Sequence, residues 1–271
     1  MRRIVLCADD YALAPGVSRA IRELVARGRL NAVSVMTVIP GFEREAAALA
    51  ATPSPIPLSI GLHATLTGPF TPLAALPIAT RDGNFPSIAR YFPPLGFLRI
   101  DRKAVKAEVA AQIAAFRKAV GRPPDFVDGH QHVQLMPGVR VPLLAAVSEA
   151  APKAWARQCG AARGAAARGK KARLIQLLSR GFRRAAQQAG VRFNPAFSGA
   201  YDFATKENFA ALFARFLAGL PDRGLVMCHP GFVDAELAAR DPLTGQREAE
   251  YAFFAGDDFP ATLARAGASL A

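Results

Sequence analysis

The amino-acid sequence predicts an α/β fold in which parallel β-strands are joined by crossover helices. Short apolar runs of strand length alternate along the chain with stretches of helical periodicity, which is the pattern of such folds. The chain has 271 residues, of which 51% are apolar, and this is ample for a sizeable core. Neither an internal repeat nor a long linker divides it. We therefore expect one domain over residues 1–271.

Six short apolar runs are predicted as strands. They cover residues 4–8, 32–39, 58–66, 126–133, 191–197 and 224–228. Each is too short for a typical helix, and the helical stretches between them are long enough to serve as crossovers.

Four segments between or beside these runs are predicted as helices, at residues 17–26, 42–51, 102–120 and 209–217. The first closes near Gly28, and the last is ended by Gly219 and Pro221. The third has apolar residues at helical spacing and is stopped by Gly121. The stretch 68–97 is rich in Pro and Gly with weak periodicity, and it predicts a long loop over the top of the fold.

The net charge of +13 is concentrated in one part of the chain. The segment from Ala150 to Tyr201 contains no Asp or Glu and carries +11 of that charge. The remainder is close to neutral, which argues against a nucleic-acid footprint spread over the whole protein. We expect a basic, partly helical insert at about residues 160–190. The cations of the segment are Lys153, Arg157, Arg163, Arg168, Lys170, Lys171, Arg173, Arg180, Arg183, Arg184 and Arg192.

An apolar stripe runs along the helical part of this insert. Its members recur every three or four residues and are Leu174, Leu178, Phe182, Ala185 and Ala189. Packing of the stripe against the domain is one interpretation. Docking to an anionic surface or a membrane interface is the other.

The composition predicts a cytoplasmic protein with reduced thiols. No apolar run approaches the roughly 20 residues of a bilayer-spanning helix, and the basic start of the chain is followed by too short an apolar run for a signal peptide. Cys7, Cys159 and Cys228 show neither a metal-site spacing nor a disulfide framework. We expect all three to be buried free thiols.

The placement of the histidines is the most informative feature for function. The chain has four, and each lies at or just beside the carboxyl end of a predicted strand. In a barrel of parallel strands these ends converge on one face, where active sites are built. Four independent core histidines are not expected to be distributed in this way. They are His63, His130, His132 and His229.

Two adjacent carboxylates, Asp9 and Asp10, emerge together from the end of the first predicted strand. A single Asp here could cap the helix that starts near Pro15. A pair is harder to explain in that way, because like charges this close need a compensating cation. A bound metal ion is the natural partner.

The run Asp128-Gly129-His130-Gln131-His132 ends the fourth predicted strand. Alternate residues of a strand point to one side, so Asp128, His130 and His132 are expected to share a face. Asp128 would then orient a ligating imidazole by bonding its other ring nitrogen. His229 is followed by Pro230 and Gly231, which force a turn, and it is expected to project into the same mouth.

Two imidazoles and one carboxylate form a recognisable set for a catalytic divalent ion with an open position. A carboxylate and a histidine are left for proton transfer, which is the inventory of metal-assisted hydrolysis. Two other functions stay open. Glycoside hydrolysis also uses two carboxylates, although adjacent Asp9 and Asp10 cannot straddle a glycosidic bond. An anionic-lipid or nucleic-acid binding protein could use the basic segment, but this would leave the placement of the histidines unexplained.

Several motifs occur in a set order from about residue 3 to the end of the chain. They are Ala8-Asp9-Asp10-Tyr11, the helix at 15–21, Gly61-Leu62-His63, Asp128-Gly129-His130-Gln131-His132-Val133, Phe197-Ser198-Gly199, Met227-Cys228-His229-Pro230-Gly231, and an Arg-x-x-Glu from Arg247 to Glu250. In this order and spacing they resemble the YdjC-like carbohydrate deacetylase family, of the chitooligosaccharide deacetylase or hopanoid-biosynthesis deacetylase type.

The resemblance implies a distorted (β/α) barrel of the glycoside hydrolase/deacetylase type. It implies a metal-dependent hydrolase that cleaves a linear amide, the N-acetyl group of an amino sugar. Asp10, His63 and His130 are implied as metal ligands, Asp9 as the base and His229 as the acid. One divalent ion is expected, zinc on grounds of ligand softness or magnesium with additional waters.

Other residues are expected to support this site or to contact the substrate. They are Asp128 and His132 beside the ligands, and Arg157 and Arg247, which would hold Asp9 ionised or contact the substrate. The expected partner is an acetylated amino sugar or glycoconjugate on an anionic carrier, with Arg173, Arg180, Arg183 and Arg184 among the contacts. Neither nucleic acid nor a transmembrane segment is expected, and assembly into a homo-oligomer stays open.

The chain departs from the family pattern at three places near the site. Gly129 replaces a usual Ser, Gln134 stands where His is common, and Tyr11-Ala12 replaces Phe-Gly. The basic insert has no counterpart in the pattern. These departures bear on the choice of substrate.

Overall fold

A computed structural model of the chain describes residues 1–74, 82–92, 100–162, 170–203, 205 and 207–270. The strands are β1 Arg2–Arg3, β2 Val5–Tyr11, β3 Ala32–Val35, β4 Ser59–Ala64, β5 Phe126–Gly129, β6 Trp155–Ala156, β7 Phe197–Ser198, β8 Leu225–Cys228 and β9 Ala268–Ser269. The helices are α1 Pro15–Ala26, α2 Phe42–Ala50, α3 Arg102–Val120, α4 Pro137–Ala150, α5 Lys170–Gln188, α6 Phe209–Leu217, α7 Ala235–Arg240, α8 Arg247–Ala255 and α9 Asp258–Arg265. Short 3₁₀ helices lie at Ile88–Tyr91 and His130–Leu135.

Seven strands form one parallel sheet in the order β6-β5-β4-β3-β2-β8-β7. The two edges of this sheet approach each other, since Ala156 forms a bridge with Phe193 and the Phe197 N–H donates to the Gly160 carbonyl at 3.0 Å. The sheet is therefore curled into a partial barrel with helices around it. The predicted α/β barrel class is confirmed.

The helix ends follow local signals in the sequence. The carboxylate of Asp101 accepts the N–H of Lys103 at 2.8 Å and so caps α3, which ends at Gly121 with φ of 79°. Helix α1 begins at Pro15, two residues before the predicted start, because proline is tolerated in the first turn. Helices α2 and α6 match the predicted segments within one residue.

Helix α4 was not predicted from the sequence, and its composition explains why. It carries Pro142 in its interior, and apolar residues lie on its exposed side, at Val141, as well as on its buried side, at Val139 and Leu143. Such a helix has no clear apolar stripe, so periodicity does not reveal it.

Four predicted strands were too long by more than one residue. The runs 32–39 and 58–66 contribute only Ala32–Val35 and Ser59–Ala64. The run 126–133 stops being a strand at Gly129, because Gln131 and His132 adopt left-handed φ angles of 54° and 59°. The run 191–197 contributes only β7 and the bridge at Phe193. Within this run, the Asn194 side chain accepts the N–H of Gln158 and donates to its carbonyl, where a regular strand would form backbone hydrogen bonds.

Parts of two predicted segments lie outside the described residues, namely 75–81 and 93–97 of the loop 68–97, and 163–169 of the basic insert. Elsewhere in the loop, the Tyr91 hydroxyl donates to the Leu66 carbonyl at 2.7 Å. No helix within the described ranges is both long enough and apolar enough to cross a membrane.

Helix α5 occupies most of the described basic insert, but it packs in a different rotation from the one predicted. Its buried face is formed by Ile175, Ser179, Phe182 and Ala186, whereas Leu174 of the predicted stripe is 41% exposed. Only Phe182 of that stripe is fully buried. Packing of α5 on the domain is thus established, with a face shifted by about one residue.

The strand that carries His63 is held by a close contact inside the sheet. A Cβ added to Gly61 would lie 2.4 Å from the Phe126 ring, which is itself fully buried and stacked on Trp155 at 4.7 Å between centroids. Because a Cβ would clash with the ring, only glycine at position 61 allows the Phe126 ring of β5 to lie directly against the backbone of β4.

We expect Gly61→Ala to lower the free energy of unfolding by about 1–3 kcal/mol, because a methyl group forced against a buried ring costs about that much. Urea unfolding followed by circular dichroism measures the change.

The matched control is Gly245→Ala, since a Cβ at Gly245 would meet no atom within 4 Å. This variant should stay within about 0.5 kcal/mol of the wild type. Equal stabilities of the two variants would show that Phe126 moves aside freely.

Candidate active site

The carboxyl ends of the central strands bring polar side chains from distant parts of the chain together. Asp9 and Asp10 lie on β2, His63 on β4 and Asp128 on β5, and His63 and Asp128 are direct partners in the sheet register. His130 follows β5 at once. All five side chains are buried, with at most 8% of any of these residues exposed.

Asp10, His63 and His130 converge on one point. The Asp10 Oδ1 atom lies 3.3 Å from His63 Nε2 and 3.1 Å from His130 Nδ1. The ligand atoms of the three residues all lie within 4.8 Å of one another. Donors bound to one divalent ion at about 2 Å are about 3 to 4 Å apart, so the group needs little movement to hold such an ion.

His63 is oriented by Asp128, which accepts at 2.7 Å from the ring nitrogen Nδ1 and leaves Nε2 facing Asp10. The Ser34 hydroxyl donates to the same Asp128 oxygen at 2.6 Å. Burial by itself lowers the pKa of His63, but the carboxylates of Asp128 and Asp10 outweigh it and raise the pKa to about 10. Without a metal ion this imidazole is therefore protonated on both ring nitrogens and carries a positive charge.

The expectation that Asp128, His130 and His132 share a strand face is wrong. The strand ends at Gly129, and the left-handed turn at Gln131 and His132 destroys the alternation. Asp128 accordingly supports His63. The group of close donors Asp10, His63 and His130 does not include His132, whose Nδ1 atom lies 3.6 Å from the Cys159 sulfur and whose ring lies against Phe197.

Arg157 is a fully buried cation placed between two carboxylates. Its guanidinium contacts both oxygens of Asp9 at 2.6 Å and Oδ2 of Asp128 at 2.5 Å. Burial alone lowers the pKa of Arg157, but Asp128 and Asp9 hold it well above its usual range. Nη2 also lies 3.0 Å from the Cys7 sulfur. Cys7, Asp9 and Asp128 form a second group of close donor atoms, and the guanidinium of Arg157 is the cation that contacts all three.

Arg247, the first residue of α8, pairs with Asp10 rather than with Asp9. Its Nη2 atom lies 2.7 Å from Asp10 Oδ2 and 2.9 Å from Asp241 Oδ2. Burial favours protonation of Asp10, but Arg247 and the two imidazoles hold the pKa of Asp10 well below its usual range. Because Oδ2 is engaged by Arg247, Oδ1 is the oxygen that faces His63 and His130.

His229 follows β8 and is held through its backbone. Its N–H donates to Glu250 Oε2 at 2.5 Å, and the Tyr201 hydroxyl donates to the other Glu250 oxygen at 2.6 Å. The His229 Nδ1 atom is buried and has no hydrogen-bond partner among the residues described. Burial lowers the pKa of His229 to about 4, so the free imidazole is neutral near pH 7.

Sequence reasoning missed three of the supporting residues, Ser34, Glu250 and Asp241. Ser34 is a polar residue inside a strand that is otherwise apolar, which is a weak signal. Glu250 belongs to the Arg-x-x-Glu motif, where Arg247 alone was singled out. Asp241 gives no signal in the sequence.

A cavity of about 600 Å³ is lined by residues of α5, β7 and α6. Its wall includes Cys159 and Phe197, which contact His132, and Tyr201, which contacts Glu250. Ile175 and Gln176 of α5 form part of its other wall. The cavity therefore borders residues around the site but none of Asp10, His63 and His130.

Comparison with known proteins places this geometry in a family context. A carbohydrate deacetylase of Mus musculus is 34% identical over 141 residues, which are 51% of this chain and 44% of that protein, so the match spans less than half of the relative's length. A chitooligosaccharide deacetylase of Serratia marcescens is 28% identical over 86% of this chain and 83% of that protein.

A solved structure shares the fold. It is the crystal structure of a provisionally named cellobiose-phosphate cleavage protein from Enterococcus faecalis V583, which is 22% identical, with a TM-score of 0.78 over 100% of this chain and 97% of that chain. The family model described as YdjC-like protein matches residues 3–265. That match covers nearly the whole chain, which therefore belongs to the YdjC-like family.

Proposed function

We propose that the chain is a divalent-metal-dependent carbohydrate deacetylase that hydrolyses the N-acetyl amide of an amino sugar or its conjugate. The observation that carries the proposal is the convergence of Asp10, His63 and His130 beside the buried pair of Asp9 and Arg157. The names of the mouse and Serratia relatives support the same reaction class.

The metal ligands in this proposal are Asp10 through Oδ1, His63 through Nε2, and His130. Two imidazoles and one carboxylate suit zinc, and magnesium with additional waters is the alternative. When bound, the ion supplies Lewis acidity, which activates a water molecule and polarises the acetyl carbonyl.

Asp9 is the proposed base, and it takes a proton from the attacking water. Its carboxylate accepts two bonds from Arg157, and a carboxylate has about four acceptor sites, so positions are left for the water. Arg157 also fixes the carboxylate in one orientation next to the ligands, which is what proton transfer in a defined direction needs.

His229 is the proposed acid: its imidazole, neutral in the free protein, would take up a proton from solvent as negative charge develops on the substrate and give it to the departing amine. Its Nδ1 atom has no hydrogen-bond partner among the described residues and is therefore available to a substrate group. Burial disfavours the imidazolium form, but negative charge that develops on the substrate during attack offsets this effect. Glu250 holds the His229 backbone in place.

In this proposal the rest of the substrate extends from the amide toward the cavity lined by Cys159 and Phe197, and an anionic carrier would be bound there only by residues that face the cavity. Of the four arginines expected to contact such a carrier, only Arg183 is turned inward, with Nη1 at 3.4 Å from Gln158 Oε1. Arg173, Arg180 and Arg184 are exposed on the outer side of α5. The four therefore do not form one binding surface.

The proposal is tested with an N-acetylated chitooligosaccharide. Acetate release should require a divalent ion and should stop when a chelator is added. Release of shorter sugars without acetate would instead indicate glycoside hydrolysis.

The matched variants Asp9→Asn and Asp10→Asn separate the base from the ligand. Asp9→Asn should keep metal binding yet lower kcat by about 10²–10⁴-fold, because it removes a general base. Asp10→Asn should lose metal affinity as well as activity. Metal content by mass spectrometry and acetate release measure the two effects.

Circular dichroism is the control for both variants, since Asp9→Asn leaves the buried Arg157 with one carboxylate fewer and could cost about 3–5 kcal/mol. The assignment of the two aspartates is reversed if folded Asp9→Asn loses the metal and folded Asp10→Asn retains it.

Ser34→Ala should weaken metal binding by about tenfold, because the hydroxyl holds the Asp128 carboxylate that orients His63, and such supporting bonds are worth about 10- to 100-fold in metal affinity. Competition with a chelating dye measures the dissociation constant. Ser87→Ala, at an exposed serine, is the control and should leave it unchanged. An unchanged constant for Ser34→Ala would show that Asp128 orients His63 without help.

A further inference from the structure

Helix α5 has an outer face that the fold does not use. Opposite its buried side, Leu174 and Leu177 are 41% and 60% exposed, and Arg173, Arg180 and Arg184 are exposed around them. At 100° per residue, these five positions fall within about one third of the helix circumference. We name these five residues the α5 outer face.

The cations of the α5 outer face have no acidic partners in the part of the chain that the structure describes. None of the three guanidinium groups forms an ion pair or a side-chain hydrogen bond with any described residue. The sequence from Ala150 to Tyr201 contains no Asp or Glu that could provide one nearby. Positive charges gathered in this way repel one another, so an anionic partner would stabilise the surface.

The guanidinium of Arg140, which belongs to α4, lies against the same side of α5. Gly181 follows Leu177 by one helical turn, and a Cβ added there would lie 1.7 Å from Arg140 Nη1. The guanidinium of Arg140 therefore lies directly on α5, in space that only glycine leaves free. This arrangement extends the positive surface from α5 onto α4.

The two leucines distinguish between classes of anionic partner. A phosphate group or a nucleic acid is bound by the arginines and gains little from exposed leucine side chains. A lipid bilayer surface uses both, because its headgroups attract arginine while leucine side chains enter the boundary with the acyl chains. The combination therefore favours a membrane surface.

We propose that the α5 outer face is a docking surface for an anionic lipid bilayer. The opposite side of α5 faces the protein, since Ile175 and Gln176 line the cavity of about 600 Å³ and Ser179 accepts the N–H of Cys159 at 3.1 Å. Docking through the outer face brings the cavity close to the lipid surface. The proposal concerns binding and does not depend on the deacetylase reaction.

The experiment is flotation of the full chain with vesicles of equal parts phosphatidylglycerol and phosphatidylcholine, compared with vesicles of phosphatidylcholine alone. The wild type should float with the anionic vesicles only, and less at raised salt. The variant R173Q/R180Q/R184Q should bind about 100-fold more weakly, at about 1 kcal/mol for each arginine near such a surface. The variant L174S/L177S should bind at least about tenfold more weakly, because it removes two apolar anchors.

The variant R44Q/R90Q/R102Q is the matched control, since it removes the same charge from three exposed arginines outside α5. It should bind like the wild type. The proposal is overturned if the wild type does not float, if this control loses as much binding as the α5 triple variant, or if L174S/L177S binds like the wild type, which would indicate a phosphate or nucleic-acid partner. Acetate release from a chitooligosaccharide in free solution reports the enzymatic proposal separately and should be the same for all these variants.

Discussion

The buried guanidinium of Arg157 is the interaction on which the rest of the site depends. It lies between Asp9 and Asp128, and none of the three side chains is more than 3% exposed. Burying two carboxylates so close together without a cation would cost several kcal/mol, and their repulsion would drive the strand ends apart. Through Asp9 this cation positions the proposed base, and through Asp128 it reaches His63. Arg157, which directly follows the two-residue edge strand β6, thus ties the proposed proton-transfer group to a proposed metal ligand.

The same network explains how the site stays balanced with and without a metal ion. Asp9, Asp10 and Asp128 face Arg157, Arg247 and a His63 whose raised pKa makes it cationic. A divalent ion at the three proposed ligands would need the neutral imidazole, so its binding would release a proton from His63. Arg157 fills the neighbouring group of donors around Cys7, which leaves Asp10, His63 and His130 as the group open to an ion.

Helix α5 shows how one segment can serve two separate surfaces. Its inner side packs through Phe182 and lines the cavity through Ile175 and Gln176. Its outer side gathers cations and exposed leucines that contribute nothing to packing. Of the four arginines first expected to contact the substrate, only Arg183 turns inward, toward Gln158. Most of the positive charge of α5 therefore lies on its outer side.

The sequence by itself determined the α/β class, the bounds of α3 and α6, and the positions of Asp9, Asp10, His63 and His229 at strand ends, because periodicity, caps and turn residues act over a few neighbouring residues. It also indicated Arg157 and Arg247 as partners of Asp9 or of the substrate, and of the two only Arg157 pairs with Asp9. Only the tertiary structure decided that Asp128 supports His63, that Arg247 pairs with Asp10, and that Ser34 and Glu250 take part. The first three of these contacts join residues 65 to 237 positions apart. They follow from which strands and helices become neighbours around the barrel, and from the left-handed turn after Gly129, neither of which a local pattern encodes.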